Sequence, residues 1–148
     1  MNLKTRILDD VKTAMKARAA ARLSTLRMLT AAMKQKEVDE RVELDDAAVL
    51  AIVEKLIKQR REAISQFEAG GRADLAAAER AEIEVLSAYL PAPLSEAEVD
   101  AAIVGALVEA GAQTAKDMGR VMALLKPRLA GRADFAQVSA RVKARLAN

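Results

Sequence analysis

Residues 45–71 read DDAAVLAIVEKLIKQRREAISQFEAGG, and this stretch decides the fold. Its apolar residues recur at intervals of three and four, which is the period of one face of an α-helix. Asp45 or Asp46 can cap the start, and Gly70-Gly71 can end the helix because glycine tolerates the left-handed turn beyond it. The stretch therefore predicts one long amphipathic helix, with an apolar face made of Val49, Ile52, Val53, Leu56, Ile57, Ile64 and Phe67.

The same helical period continues on both sides of this stretch. Strand signals are almost missing, because aromatic residues are few and β-branched residues do not alternate along the chain. The sequence therefore predicts an all-α fold. The apolar positions outside residues 45–71 are Leu3, Ile7, Val11 and Met15; Leu26, Leu29 or Thr30, and Met33; Leu75, Ile83, Leu86 and Leu90; and, further on, Val99, Ile103, Leu107, Val121, Leu125, Leu129, Val138, Val142 and Leu146.

The segment Pro91-Ala92-Pro93 predicts a domain boundary, because proline stops a helix and keeps the preceding residue extended. Residues 1–90 are expected to form a helical bundle of about four helices. Residues 91–94 are expected to be a linker, and 95–148 a small compact tail of about three helices. In the tail, Ser95 with Glu98 reads as a capping box, and so does Thr114 with Asp117. Pro127 is expected to kink or shorten its helix.

The tetrapeptide Gly-Arg-Ala-Asp occurs twice, at residues 71–74 and 131–134. Both copies lie between predicted helices, and the residues that flank them do not match. The two copies are interpreted as the same way of stopping one helix and starting the next, and not as a duplication.

The composition limits the chemistry, because the 148 residues include no histidine and no cysteine. Zinc fingers, thiol nucleophiles, Ser–His–Asp triads and imidazole acid–base catalysis are thereby excluded, and a metal site could use only oxygen ligands. Glu79, Glu82 and Glu84 are interpreted as a solvated helix face and not as a magnesium or acid–base site. The sequence thus predicts no catalytic residues, no cofactor and no metal. Without an apolar run of membrane length or a signal-peptide core, a cytoplasmic protein with no membrane partner is expected.

The net charge of +3 is unevenly distributed. Residues 1–36 hold nine Lys or Arg against two acids, residues 37–54 seven acids against one Arg, and residues 116–148 eight Lys or Arg against two acids. The basic blocks suit a polyanion, but on charge alone ordinary solvated faces are favoured. The C-terminal block is the stronger candidate, because its cations crowd around a proline and a glycine turn. With so few aromatics for base stacking, folded RNA fits better than a single strand.

Three blocks of sequence resemble the YqeY-like proteins. They are Leu26-Arg27-Met28-Leu29 with Lys34 and Lys36-Glu37; residues 58–67 with Gly71-Arg72-Ala73-Asp74-Leu75, Glu79, Glu82, Leu86 and Tyr89-Leu90-Pro91; and residues 116–122 with Gly131-Arg132-Ala133-Asp134, Val138 and Val142. The resemblance covers essentially the whole chain. It implies two helical domains, the second similar to the tail of GatB, the B subunit of the glutamine-dependent aminoacyl-tRNA amidotransferase, and a bacterial protein. In GatB that tail helps to hold tRNA.

The expected function is that of an accessory, non-catalytic module that binds tRNA or joins a tRNA-charging or amidotransferase complex. One alternative is a subunit or participant of a glutamine-dependent carbon–nitrogen ligase. A second is a protein–protein adaptor that docks a partner helix through the face of Leu3, Ile7, Val11 and Met15. The candidate RNA-binding residues, from the basic cluster and the tail motif, are Lys116, Gly119, Arg120, Lys126, Arg128, Gly131, Arg132 and Lys143.

Overall fold

The computed structural model describes residues 1–147, and within that range the chain is all α-helical with no strand, which confirms the predicted class. A 3₁₀ turn, Ala115–Asp117, precedes the sixth helix. None of the helices in this range combines the length and apolar character needed to cross a bilayer. The helices are α1 Leu3–Lys16, α2 Ala20–Glu40, α3 Asp46–Ala69, α4 Ala73–Ser87, α5 Glu96–Ala110, α6 Met118–Leu129 and α7 Phe135–Leu146.

The long helix α3 begins and ends almost where the sequence indicates. The Asp45 carboxylate accepts the amide of Ala48 at 2.8 Å and so caps the helix. Asp46 has a different use, because its carboxylate accepts the Leu3 amide at 2.9 Å and joins the start of α1 to the start of α3. The left-handed residue at the end of α3 is Gly71, at φ +72°, whereas Gly70 has an ordinary negative φ.

The residues form two compact units, and the first is Met1–Leu90, which holds α1 to α4. Its buried core takes one apolar row from each helix. The row expected on α1 is wrong at its end: Ala14 is buried, whereas Met15 is 51% exposed. Two helical turns span about 7.2 residues, so the residue above Ile7 is number 14 and not 15. Ile7 is buried in the core of the unit, and Leu3 and Val11 are partly buried and pack against it.

Arg60 is the one strongly buried charged residue that the described chain shows, at 7% exposure. Its guanidinium donates to Glu82 at 2.8 Å, to the Leu56 carbonyl at 2.9 Å and to the Met28 sulfur at 2.6 Å. Each of the three guanidinium nitrogens therefore has an acceptor, as a buried charge requires. The interpretation of Glu82 as a solvated carboxylate is corrected, because this carboxylate joins α4 to α3.

Tyr89 closes the first unit where α1 meets the end of α4. Its buried ring lies under the Arg6 guanidinium, 5.1 Å from the ring centre, and its hydroxyl donates to Asp10 at 2.6 Å. Burial, and then the bond to the Asp10 carboxylate, raise the pKa of the phenol well above its ordinary value. The tyrosine is therefore neutral in the folded protein.

The second unit begins at Pro91 and holds α5, α6 and α7. Its core is formed by inward-facing residues of these helices. The capping box at Ser95 is confirmed: the Glu98 amide donates to the serine oxygen at 3.1 Å, and the Ser95 amide to Glu98 at 3.3 Å. The core residues are Val99, Ile103, Ala106, Val121, Leu125, Leu129, Val138, Val142 and Leu146.

Two predicted features of the second unit take a modified form. At the predicted second capping box the chain makes one 3₁₀ turn before α6 begins. Asp117 accepts the amides of Gln113 at 2.9 Å and Thr114 at 3.1 Å in that turn. Pro127 lies inside α6, which ends two residues later at Leu129. The proline is therefore compatible with only a short continuation of the helix.

The segment after Pro91 is joined to the turn between α6 and α7. The Leu94 amide donates to the Arg132 carbonyl at 2.9 Å. The Arg132 side chain returns a bond from its Nε to the Ala92 carbonyl at 3.2 Å. These two bonds give the extended backbone of the segment the partners that no helix provides.

Candidate functional site

The basic corner of the second unit is built around two acids that cap backbone amides. Asp117 accepts the amides of Gln113 and Thr114 and also pairs with Arg120. The two amide hydrogen bonds, and to a smaller extent the bond from Arg120, hold the pKa of the Asp117 carboxyl far below the ordinary range. Asp134 accepts the Ala136 amide at 2.9 Å and caps α7. The Asp117 carboxylate is thus ionised near neutral pH, and both carboxylates are committed to the local fold.

The arginines of the corner are engaged with the protein itself. Arg120 pairs with Asp117, and Arg128 donates to Glu109 of α5 at 2.5 Å. Arg132 donates to a backbone carbonyl. The sequence-based view of this corner as a set of unpaired cations is therefore corrected for these arginines. Glu109 was the missed partner, because it lies 19 residues before Arg128 and only the packing of α5 against α6 brings the two together.

The lysines of the corner remain available. Lys116, Lys126 and Lys143 are exposed, and within residues 1–147 they make no ion pair or side-chain hydrogen bond. Arg145 on α7 shares this state. Exposed lysines with no acid partner have their three hydrogen-bond donors available for a ligand.

The candidate cations do not form one cluster. Residues two apart on a helix point about 160° away from each other, so Lys126 and Arg128 lie on opposite flanks of α6. The same spacing separates Lys143 from Arg141, which is bound to Asp100 at 3.2 Å. The corner therefore offers several separate cationic points and not a single pocket.

The two candidate glycines have different settings. Gly119 lies exposed in the first turn of α6, and a Cβ added there would have no neighbour within 4 Å. This leaves the backbone between Lys116 and Arg120 open to close approach. Gly131 has φ +73° and makes the turn after α6, so its role in the structure is conformational.

A groove in the first unit was missed by the sequence reading. It has a volume of about 460 Å³ between α1 and α2. At one end of the groove, Lys4 donates to Glu37 at 2.8 Å. This hydrogen bond is the main reason why the pKa of Glu37 is lowered. Arg27 and Lys34 line the groove without a partner among the described side chains. The excess of nine cations over two acids in residues 1–36 was the available signal.

A smaller cavity of about 150 Å³ lies in the second unit, where α5 and α7 begin. Arg132 and Arg141 face it, but each is already bound, the first to a carbonyl and the second to carboxylates of α5. The cavity therefore has no free charged group that indicates a ligand.

The chemistry available to the chain follows from these sites. No group of three or more metal-ligating side chains occurs in the part of the chain that is described. The perturbed carboxyls belong to caps and ion pairs, and Glu37 is the one of them that lines the groove, where Lys4 neutralises it. Fold and sites together define a class: an all-helical protein of two units that presents exposed cations on helix surfaces.

The chain belongs to the YqeY-like protein family, whose model matches residues 4–146. The family resemblance stated from the sequence is thereby confirmed.

Curated relatives carry the name altered inheritance of mitochondria protein 41, mitochondrial. The protein of Lachancea thermotolerans is 40% identical over 68% of this chain and 55% of its own length. That of Eremothecium gossypii is 41% identical over 61% of this chain and 50% of its own length. That of Pyrenophora tritici-repentis is 31% identical over 83% of this chain and 71% of its own length. The chain thus spans about half the length of the first two of these relatives.

These names correct two expectations. The matched relatives are fungal proteins that are named as mitochondrial. The expectation of a bacterial protein in a purely cytoplasmic location is therefore wrong as stated, since close relatives are neither.

Proposed function

We propose that the chain is an accessory, non-catalytic module that binds tRNA, alone or within a tRNA-charging or amidotransferase complex. The second unit is the RNA-binding part. One observation carries the proposal: the exposed lysines Lys116, Lys126 and Lys143 have no acid partner in the described chain, while both nearby acids are bound to backbone amides. Such cations gain by releasing counterions when they meet a phosphate backbone.

The spacing of these lysines fits a folded RNA better than a small anion. Lys116 lies in the 3₁₀ turn before α6 and Lys126 near the end of α6; the eight residues from Met118 to Lys126 alone span about 12 Å at 1.5 Å per residue. Phosphates along one strand repeat at a few ångströms, so separate cations contact separate phosphates. Affinity then comes from shape and backbone contacts, which matches a surface without aromatic platforms.

The finer domain description belongs to the same proposal. The first unit acts as a four-helix bundle, and the second as a tail domain similar to that of GatB. Since the GatB tail helps to hold tRNA, a similar tail in this chain suits the same ligand class. The activity proposed for this tail is binding.

The test is a titration of the full chain against bulk tRNA at two or more salt concentrations. Wild-type protein is expected to bind with a Kd on the order of 10⁻⁴–10⁻⁶ M and to weaken steeply as salt rises. The triple variant Lys116→Ala/Lys126→Ala/Lys143→Ala should bind more weakly, and its salt slope should fall by about one per lysine removed.

The matched control is Lys55→Ala/Lys58→Ala/Arg61→Ala on α3. These three exposed cations lie in the first unit and make no ion pair in the described chain, so the variant removes the same charge elsewhere. Its binding should stay much closer to wild type. Equal losses of tRNA affinity in both triple variants would mean that only net charge matters, and would overturn the assignment of the site to the second unit. Binding that does not depend on salt would overturn the proposed function.

A further inference from the structure

We propose that the groove between α1 and α2 is a docking site for an acidic amphipathic helix of a partner protein. This site lies in the first unit and does not depend on RNA binding by the second. Its lining residues are Lys4, Leu8, Arg27, Thr30, Ala31, Met33, Lys34 and Glu37.

The groove follows from the packing of two antiparallel helices. A three-residue connection, 17–19, returns the chain, and Lys4 at the start of α1 meets Glu37 near the end of α2. The two helices therefore run side by side along the length of α1. The lining residues on α2 run from Arg27 to Glu37, which at 1.5 Å per residue is about 15 Å and matches about three turns of a partner helix.

The floor of the groove is apolar and accessible. Leu8 is 43% exposed, although it stands one residue after the buried Ile7. Met33 closes the base and Ala31 lines the α2 side. An exposed leucine over an apolar floor offers the contact that the apolar anchors of a partner helix fill.

The rim of the groove is positive. Its single lining acid, Glu37, is neutralised by Lys4, while Arg27 and Lys34 have no partner in the described chain. Lys12 stands one turn beyond Leu8 on α1 and extends the same flank. Carboxylates on the edges of a docked helix would meet these cations, and a basic helix would be repelled.

The apolar floor distinguishes this surface from the corner of the second unit. A phosphate backbone gains from cations but not from an exposed leucine, whereas an amphipathic helix uses both features. A protein helix is therefore the occupant that the groove favours over RNA.

The test uses a synthetic peptide of about 18 residues with leucines at i, i+3, i+4 and i+7 spacing and glutamates on the flanks. It should bind the full chain, and a peptide with lysine in place of every glutamate should not. The variant Arg27→Glu/Lys34→Glu should weaken the acidic peptide at least tenfold. The control Lys55→Glu/Arg61→Glu makes the same charge change on α3 and should leave binding near wild type.

A second pair of variants tests the floor. Leu8→Ala should weaken peptide binding severalfold, whereas Val108→Ala, at an exposed position on α5, should not. Circular dichroism establishes that each variant is folded. Equal binding of the peptide to wild type and Arg27→Glu/Lys34→Glu overturns the proposal. A second result would also overturn it: the acidic peptide binds no form of the chain, and a groove variant loses tRNA binding. The groove would then bind phosphates and not a protein helix.

Discussion

The tetrapeptide Gly-Arg-Ala-Asp builds two different junctions in this chain. In both copies the glycine is left-handed, with φ +72° at Gly71 and +73° at Gly131. In the first copy the next helix begins at Ala73, inside the tetrapeptide. In the second copy it begins at Phe135, after the tetrapeptide. The glycine stops the preceding helix in both copies, but the start of the next helix differs by two residues.

The carbonyl of the arginine accounts for this difference. The Arg72 carbonyl accepts the Ala76 amide at 3.1 Å, so it already serves the first turn of α4. The Arg132 carbonyl accepts the amide of Leu94, 38 residues earlier in the chain, at 2.9 Å. Because that acceptor is occupied, Arg132 does not begin a helix, and Asp134, whose backbone is extended, becomes the cap of α7. A single long-range bond thus overrides an identical local sequence.

The largest effect is expected from Leu94→Pro, which removes the amide that holds the Arg132 carbonyl. The loss in free energy of unfolding should be roughly 2–3 kcal/mol, of which about 1 is the hydrogen bond and the rest the half-buried leucine. Urea unfolding followed by circular dichroism measures it. Leu94→Ala keeps the amide and should be more stable than Leu94→Pro by about 1 kcal/mol. If the two variants unfold together, the bond does not set the junction.

The shared part of the two junctions is tested by Gly71→Ala and Gly131→Ala. Each should lose about 1 kcal/mol, because alanine resists the left-handed conformation. At Gly71 an added Cβ meets nothing within 4 Å, so the cost there is conformational. Gly105→Ala in the middle of α5, where a Cβ also meets nothing, should instead gain about 0.5–1 kcal/mol. A tolerated alanine at either turn would show that its glycine is replaceable.

The two aspartates should differ in the same urea experiment. Asp134→Ala removes the cap of α7 and should lose about 1 kcal/mol. Asp74→Ala should lose less, since Asp74 lies within the first turn of α4 and pairs with Arg72 in full solvent. A larger loss at Asp74 than at Asp134 would reverse this assignment of roles.

The smallest effect concerns the titration of Asp74. The pKa of this carboxyl lies below the ordinary 3.8, mainly because the carboxylate accepts hydrogen bonds from the Arg72 guanidinium. A lowered pKa gives stability that is present above the ordinary value and is lost as the pH falls through the lowered value. In Arg72→Ala the pKa should return toward 3.8, as followed by NMR of the carboxyl. Arg132→Ala should leave Asp74 unchanged, and a shift there would mean that Arg72 is not the cause.

The sequence predicts the helices well because each prediction rests on neighbours within one or two turns. The apolar period of α3, the cap at Asp45 and the box at Ser95 are all local features. The missed details come from contacts between distant parts of the chain. Arg60 and Glu82 are 22 residues apart, and only the packing of α4 on α3 makes them a partly buried pair.

The candidate site shows the same division. The sequence locates the basic blocks, since charge is counted directly from the residues. It does not show which cations already have a partner within the protein, because Glu109 and Ala92, which bind Arg128 and Arg132, lie in other elements. For the α1–α2 groove the sequence shows the excess of cations in residues 1–36 but not the groove itself, since the groove exists only once the two helices lie together.

The solitary tyrosine gives the first unit an optical reporter of its own. With one tyrosine and no tryptophan in the chain, ultraviolet absorbance and fluorescence of the phenol come from Tyr89 alone. Its raised pKa means that the first unit keeps this contribution to stability below the ordinary pKa of 10.0 and loses it as the pH climbs beyond. In alkaline solution, the increase in ultraviolet absorbance that accompanies phenolate formation should therefore occur over the same pH range as the unfolding of the first unit.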